Sequence, residues 1–142
     1  MSQCAFKEQI DKAIVDGEAK VLVATAQEIA DQMVIIKNGK VDKNKSVSTS
    51  QIRNIFGTIK KTELSLSQDN VDEKYASLLL LKPKLAYVNG RHNKDGKKSS
   101  FTVMVSCLTY AIDILQGKPE RMKNFFNFFE AILAYHRAKG GE

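Results

Sequence analysis

The chain of 142 residues contains no tryptophan and only two residues each of cysteine, histidine and proline. This scarcity restricts its chemistry, because cysteine and histidine supply many metal ligands and histidine is the commonest general acid or base. Cys4 and Cys107 stand outside any C-x-x-C pair, and together with His92 and His136 they lack zinc-ligand spacing. We therefore expect no structural disulfide, no metal site and no cofactor.

Long hydrophobic runs are also missing. No stretch reaches the roughly 18 apolar residues that a membrane helix needs. The amino-terminal residues M-S-Q-C-A-F-K-E contain no apolar segment of the secretory-signal type. The sequence therefore predicts a soluble, cytoplasmic protein with no membrane partner.

The scarcity of proline leaves most of the chain free to form helix. Apolar residues recur at i, i+3/i+4 and i+7 across about residues 18–36 and again in later segments. Pro83 should kink or split a helix near Lys82, because proline removes a backbone donor, whereas Pro119 suits the first position of the last helix. The predicted fold class is all-α, a compact single-domain bundle of five to six helices.

Two basic segments separate the predicted helices, a connector over about residues 37–47 and a loop over about residues 89–99. The pair Asn38-Gly39 in the connector would suit a β-hairpin turn. Its flanks show helical rather than alternating periodicity, which favours a connector without strands. We expect a single helical domain over residues 1–142.

The last predicted helix is apolar over most of its circumference. Such a helix is either central to a bundle or shared with a partner chain. Its main apolar face contains Met122, Phe125, Phe126, Phe129, Ile132 and Leu133, and Phe128 and Tyr135 widen it.

The segment V-S-T-S-Q-I-R-N-I-F-G begins a helix with several start signals. Ser48 as N-cap and Gln51 three residues later form a capping box, and Val47 can pack on Ile52 as a hydrophobic staple. Arg53 is needed for neither feature. We interpret it as a ligand contact, with a buried or intersubunit salt bridge as the alternative.

Catalysis would have to rely on His92 and His136. Two histidines could act as general base and acid in RNA cleavage. His92, however, falls in the basic loop, and His136 continues the apolar stripe of the last helix. No phosphate-binding loop, zinc-protease or Ser/His/Asp signature is present. We predict no enzyme activity, and a small helical ribonuclease using these two histidines is the alternative.

Charge is the most informative property of the composition. The chain has 22 lysines and arginines against 16 acidic residues, a net charge of +6. Such an excess favours an anionic partner, with nucleic acid ahead of a membrane surface. Much of it falls between Lys82 and Lys98, where six cations accompany one acidic residue.

Two helix faces organise these cations. Lys84, Tyr87 and Arg91 lie at i, i+3 and i+7, a spacing at which two cations and a ring could hold a phosphate and a base. The alternative places Tyr87 in the core and leaves the cations merely solvated. The second face combines Arg53, Gly57, Lys60 and Lys61.

Gly57 on this second face is unusual inside a predicted helix. Glycine there costs about 1 kcal/mol relative to alanine. Either the missing side chain lets another backbone approach, or the residue is merely tolerated.

Three segments together resemble the small subunit of the type III-A CRISPR effector, the Csm complex. They are T-S-Q-I-R-N-I-F-G, L-K-P-K-L-A-Y-V-N-G-R and F-F-N-F-F-E-A-I-L-A-Y-H. With the A-Q-E-I-A helix before them, they span most of the chain beyond residue 20 in the order of the family.

The resemblance implies a non-catalytic subunit that stacks in several copies along the channel holding the guide RNA and its paired target RNA. Its partners would be this RNA duplex, the other Csm subunits and further copies of itself, including a homodimer when isolated. Its role in antiviral defence would be target RNA binding, together with a possible part in monitoring guide–target complementarity. A helical oligomerisation or nucleic-acid-binding adaptor is a further alternative.

Sequence-independent binding needs only contacts to the backbone, mainly that of the target strand. Combining the basic faces with the resemblance, the predicted RNA-binding residues are Arg53, Lys60, Lys82, Lys84 and Arg91.

Overall fold

The computed structural model describes residues 4–141 and confirms the all-α fold class. The α-helices are α1 Lys7–Ile14, α2 Ala19–Met33, α3 Arg53–Ser65, α4 Val71–Leu79, α5 Leu81–His92, α6 Ser99–Asp113 and α7 Pro119–Ala138. A short 3-10 turn, Ser50–Ile52, precedes α3. Two strands of two residues each, β1 Ile36–Lys37 and β2 Lys40–Val41, complete the described structure. Because α4 and α5 are separated only at Leu80, they can be read as one broken helix.

Helix α7 lies at the centre of the bundle. It packs along α2 and also contacts α1 and α3. The rings of Phe125, Phe126, Phe128 and Phe129 are all buried, although they point to more than one side of the helix. The apolar side chains of α7 are therefore buried against other helices of the same chain, and their burial does not require a partner.

The predicted connector near residue 40 contains a small hairpin, so the expectation of a connector without strands is wrong there. Ile36 pairs with Val41 and Lys37 with Lys40 in antiparallel register. Asn38 and Gly39 have φ of 55° and 76°, as the tight turns of two-residue hairpins require. Helix α2 ends at Met33, which frees the next residues for pairing. The turn chemistry of Asn-Gly thus outweighed the helical periodicity of the flanks.

The capping box before α3 is present as predicted. The Ser48 N–H donates to Gln51 Oε1 at 2.9 Å, and the Gln51 N–H donates to Ser48 Oγ at 3.3 Å. Val47 and Ile52, the predicted staple, are both buried. The box closes on the 3-10 turn, and the α-helix itself begins at Arg53.

Pro83 is the third residue of α5, close to the predicted break. A helix leaves its first N–H groups without intrahelical partners, so proline costs little at this position. Helix α5 continues through Asn89 and Gly90 to His92. Because α5 extends to His92 and α6 begins at Ser99, the basic loop between them is shorter than the predicted span of about residues 89–99.

The buried residues form one core cluster that extends from Cys4 before α1 to Ile132 in α7. Among residues 4–141, no helix has both the length and the apolar character needed to cross a membrane.

Candidate nucleic-acid interface

A groove of about 750 Å³ lies between α3 and α5. Helix α3 forms one wall and α5 the other, and Ser50 and Gln51 of the 3-10 turn close one end beside His92. The two walls are held by apolar residues behind them, since Ile55, Leu85 and Val88 are buried.

Four cations line this groove: Arg53 and Lys61 from α3, and Lys84 and Arg91 from α5. All four are exposed. No carboxylate is among the described residues that line the groove. Within residues 4–141, none of the four forms an ion pair. The groove is therefore a concentration of positive charge that the described part of the chain does not neutralise.

Helical periodicity explains which cations of α3 enter the groove. Arg53, Gly57 and Lys61 follow each other at intervals of four and so share one face, while the intervening Ile55 and Ile59 point into the core. Lys61 is thus a groove residue that the predicted set of five omitted. The four-residue spacing from Arg53 was the signal that could have selected it over Lys60.

Tyr87 lies in the groove with 64% of its surface exposed, so its alternative assignment to the core is wrong. It stands between Lys84 and Arg91 on the outer face of α5, as the i, i+3, i+7 spacing indicated. A large aromatic ring left in water beside two cations is available for stacking.

Gly57 opens the floor of the groove on the α3 side. Apart from its chain neighbours and the backbone of its own helix, a Cβ built on this residue would meet no atom within 4 Å. Packing inside the chain therefore does not require glycine here, and the open space faces the groove.

The remaining two predicted residues lie outside the groove lining and are engaged in ion pairs. Lys60 contacts Glu130 of α7 and lies 3.5 Å from Glu63. Lys82 contacts Asp113 of α6. The structure thus gathers Arg53, Lys84 and Arg91 of the predicted set in one place and leaves the other two cations paired with carboxylates.

His92 borders the groove at the end of α5. The Gln51 side-chain oxygen accepts from the Ser48 N–H, and the Nε2 of the same amide lies 3.5 Å from His92 Nδ1. The imidazole ring of His92 stacks on the ring of Phe101. Burial, followed by the charges of Arg91 and Lys98, lowers the pKa of His92. Burial and the neighbouring cations thus disfavour a further positive charge on this ring.

His136 has no access to the groove surface. It is fully buried in the core, and its Nε2 lies 2.7 Å from the carbonyl oxygen of Val47. The structure therefore does not present the two histidines as an acid and a base to one substrate. Residues 4–141 also contain no cluster of three or more histidine, cysteine or acidic side chains able to hold a metal.

Taken together, the helical bundle and the groove define a small all-α protein with a cationic groove whose described lining contains no acidic residue. The chain belongs to the family described as Csm2 Type III-A, whose family model matches residues 16–142. It is therefore a small subunit of the type III-A CRISPR effector, the Csm complex, and the resemblance read from its three segments is confirmed. No curated protein and no solved structure gives a significant match to the chain.

Proposed function

We propose that the groove between α3 and α5 is the surface through which this Csm subunit binds the backbone of RNA in the effector channel. The observation that carries the proposal is a set of four cations around an exposed Tyr87, none of which forms an ion pair within residues 4–141: Arg53, Lys61, Lys84 and Arg91. The target strand of the guide–target duplex is the proposed ligand.

The charges of the groove fit a polyanion better than a single small anion. They are spread along two helices, from Lys84 to Arg91 in α5 and from Arg53 to Lys61 in α3, rather than converging on one point. Lysine and arginine bind phosphates without base preference, which suits a complex in which the guide supplies sequence recognition by pairing. Binding without sequence specificity follows from this arrangement.

Tyr87 and Gly57 add two contacts that charge alone does not provide. An exposed ring between Lys84 and Arg91 can stack on a base or ribose. The open space over Gly57 lets a sugar–phosphate backbone approach α3 more closely than any side chain would allow. These features favour RNA over a protein helix as the occupant.

The subunit acts in this proposal as a binding component and not as the nuclease. His92 alone among the histidines borders the groove, and the buried His136 is unable to serve as its partner. Its contribution to antiviral defence is to hold target RNA against the guide, from a cytoplasmic complex. Contact with both strands would also make it sensitive to guide–target complementarity.

Self-association of stacked copies belongs to the same proposal. Leu64 is 85% exposed and Leu80 64% exposed, whereas α7 has no comparable apolar surface left. Contacts with neighbouring copies would therefore use the region of α3 and the α4–α5 corner rather than the last helix.

The proposal is tested by reversing two groove charges, Arg53→Glu together with Lys84→Glu, in a Csm complex reconstituted with guide RNA. Target RNA affinity should fall at least tenfold, on the order of the loss of two charge-assisted contacts. The slope of log K against log salt should decrease in magnitude by roughly 0.7 to 0.9 for each lost phosphate contact. Filter binding of labelled target RNA at several salt concentrations measures both quantities.

A matched control reverses two cations outside the groove, Lys12→Glu in α1 and Lys20→Glu in α2, both exposed. This control changes the net charge by the same amount, so it separates a local site from a general charge effect. If both double variants bind alike, or if neither alters the salt slope, the groove assignment is wrong. Cleavage of the labelled RNA by the isolated protein, lost on His92→Ala, would favour the ribonuclease alternative instead.

A further inference from the structure

The two cysteines of the chain meet in the folded structure although 103 positions separate them in the sequence. Cys4 Sγ lies 2.8 Å from Cys107 Sγ, and both thiols are free and buried. Cys4 precedes α1, and Cys107 is in the middle of α6. No sequence pattern predicted this contact, because neither residue has a cysteine neighbour along the chain.

From this geometry we propose that Cys4 and Cys107 form a redox-modification site that a hydroperoxide converts into an intramolecular disulfide. A disulfide requires about 2.05 Å between the sulfur atoms, so a shift of roughly 0.8 Å closes the gap. Cys4 can supply this shift, because it lies outside helical structure.

Contacts next to the pair hold the two segments together before any bond forms. Tyr110, three residues after Cys107, donates from its hydroxyl to Asp11 Oδ1 at 2.5 Å. Lys7 Nζ lies 5.3 Å from the centroid of the same ring. These contacts join α1 to α6, so the thiols meet as part of a packed junction.

Cys4 is suited to be the attacking thiolate. The hydrogen bond shared with the Cys107 thiol lowers the pKa of Cys4, and the Phe6 N–H at 3.3 Å and the charge of Lys7 act in the same direction, whereas burial opposes them. Cys4 keeps 7% of its surface exposed, whereas Cys107 has none. The hydrogen bond to Cys4 and burial raise the pKa of Cys107. The order of reaction is therefore Cys4 first and Cys107 second.

The chemistry balances with hydrogen peroxide as the oxidant. The Cys4 thiolate attacks one peroxide oxygen, the O–O bond breaks, and Cys4 becomes a sulfenic acid while hydroxide leaves and takes up a proton to form water. The sulfur of Cys107 then attacks the Cys4 sulfur, the S–O bond breaks, and a second water leaves with the proton of Cys107. Two thiols and one peroxide thus give one disulfide and two waters.

The experiment treats the native full-length protein with hydrogen peroxide and analyses it by intact mass and non-reducing peptide mapping. The expected product has lost two hydrogen atoms and contains a peptide of Cys4 linked to a peptide of Cys107. Because the bond closes a loop of more than 100 residues, the melting temperature should rise by roughly 10 °C and return on reduction with dithiothreitol.

Cys107→Ser is the matched control, since it keeps Cys4 and removes its resolving partner. It should gain oxygen at Cys4 under the same treatment and show no rise in melting temperature. The proposal is overturned if the native protein keeps both thiols, if it gains oxygen on the two cysteines separately, or if it forms only disulfides between chains. The mass analysis of the native protein decides among these outcomes even if the variant does not fold.

Discussion

At the scale of single residues, His136 is a fully buried polar side chain in the core. Its Nε2 donates to the Val47 carbonyl, and its Nδ1 is buried without a hydrogen-bond partner in the described structure. The backbone of Gly141 crosses the ring so closely that a Cβ there would lie 2.2 Å from it. A second proton on this imidazole would therefore be buried on Nδ1 with no acceptor.

This environment predicts a loss of stability in mild acid. Burial, opposed by the Val47 hydrogen bond and aided by the charge of Arg137, lowers the pKa of His136. The unfolded chain then takes up a proton near pH 6.5, before the folded chain does. Stability is fully present above about pH 6.5 and is lost as the pH falls toward the lower folded pKa, by at most about 1.4 kcal/mol per pH unit. Urea unfolding between pH 7.5 and pH 5.5 measures this dependence.

The histidine at the groove provides the control for this measurement. His92→Gln removes the other titrating imidazole, and the pH dependence assigned to His136 should persist in that variant. A stability that stays flat across this pH range in the unaltered protein would show that the buried imidazole is not responsible.

At the scale of elements, the groove depends on how α3 begins. The capping box joins Ser48 to Gln51, and the Gln51 amide also reaches His92 at the end of α5. The start of one groove wall is thus connected to the end of the other through a single side chain. Arg53 and Arg91 lie next to this connection in the sequence.

Removing the cap should destabilise the protein measurably. Ser48→Ala leaves the Gln51 N–H without its side-chain acceptor, and the free energy of unfolding should fall by about 1 kcal/mol. Chemical denaturation followed by circular dichroism measures the change.

Ser99→Ala is the comparison for this change. Ser99 is exposed, and its hydroxyl makes no hydrogen bond within residues 4–141. Its replacement should change the free energy of unfolding by less than about 0.5 kcal/mol. Equal losses for Ser48→Ala and Ser99→Ala would contradict a stabilising role for the box.

The features of α3, α4 and α5 that form the groove walls were predictable because their sequence signals are local. The capping box, the break near Pro83 and the outward position of Tyr87 all depend on residues within one or two helical turns of each other. The hairpin at Asn38-Gly39 was also encoded locally, but helical periodicity in its flanks concealed it.

At the scale of the whole molecule, one core joins the two ends of the described chain. Ile10 and Ile14 of α1 belong to the same cluster as Phe125 and Ile132 of α7. Helix α7 contacts α1, α2 and α3. Unfolding any of these helices alone would therefore expose buried phenylalanine rings of α7 to water.

A core cluster shared by α1 and α7 predicts one cooperative unfolding transition, as expected of a single domain. The calorimetric enthalpy should equal the van't Hoff enthalpy. Urea transitions followed by far-ultraviolet circular dichroism and by tyrosine fluorescence should also coincide. Tyrosine fluorescence can be followed in this protein because the sequence contains no tryptophan, whose emission would otherwise dominate. Separate transitions, with α3–α5 melting before the rest, would instead indicate two units.

Contacts between distant residues limited what the sequence could predict. Lys60 and Lys61 are neighbours, and Lys60 lies outside the groove lining, where it pairs with Glu63 in its own helix and with Glu130, seventy residues later. Lys82 also lies outside the lining and pairs with Asp113. The contact between Cys4 and Cys107 is equally nonlocal. The cationic character of the site was therefore predictable, whereas its exact membership required the packing of α6 and α7.

The uneven distribution of charge on the subunit also affects how a polyanion approaches it before the two molecules touch. The four groove cations account for two thirds of the net charge of +6, and the other cations are largely offset by acidic residues. An approaching polyanion would be attracted most strongly toward one side of the subunit, which orients the encounter and raises the association rate at low ionic strength. A groove of this kind would thus select the direction of docking as well as hold what has docked.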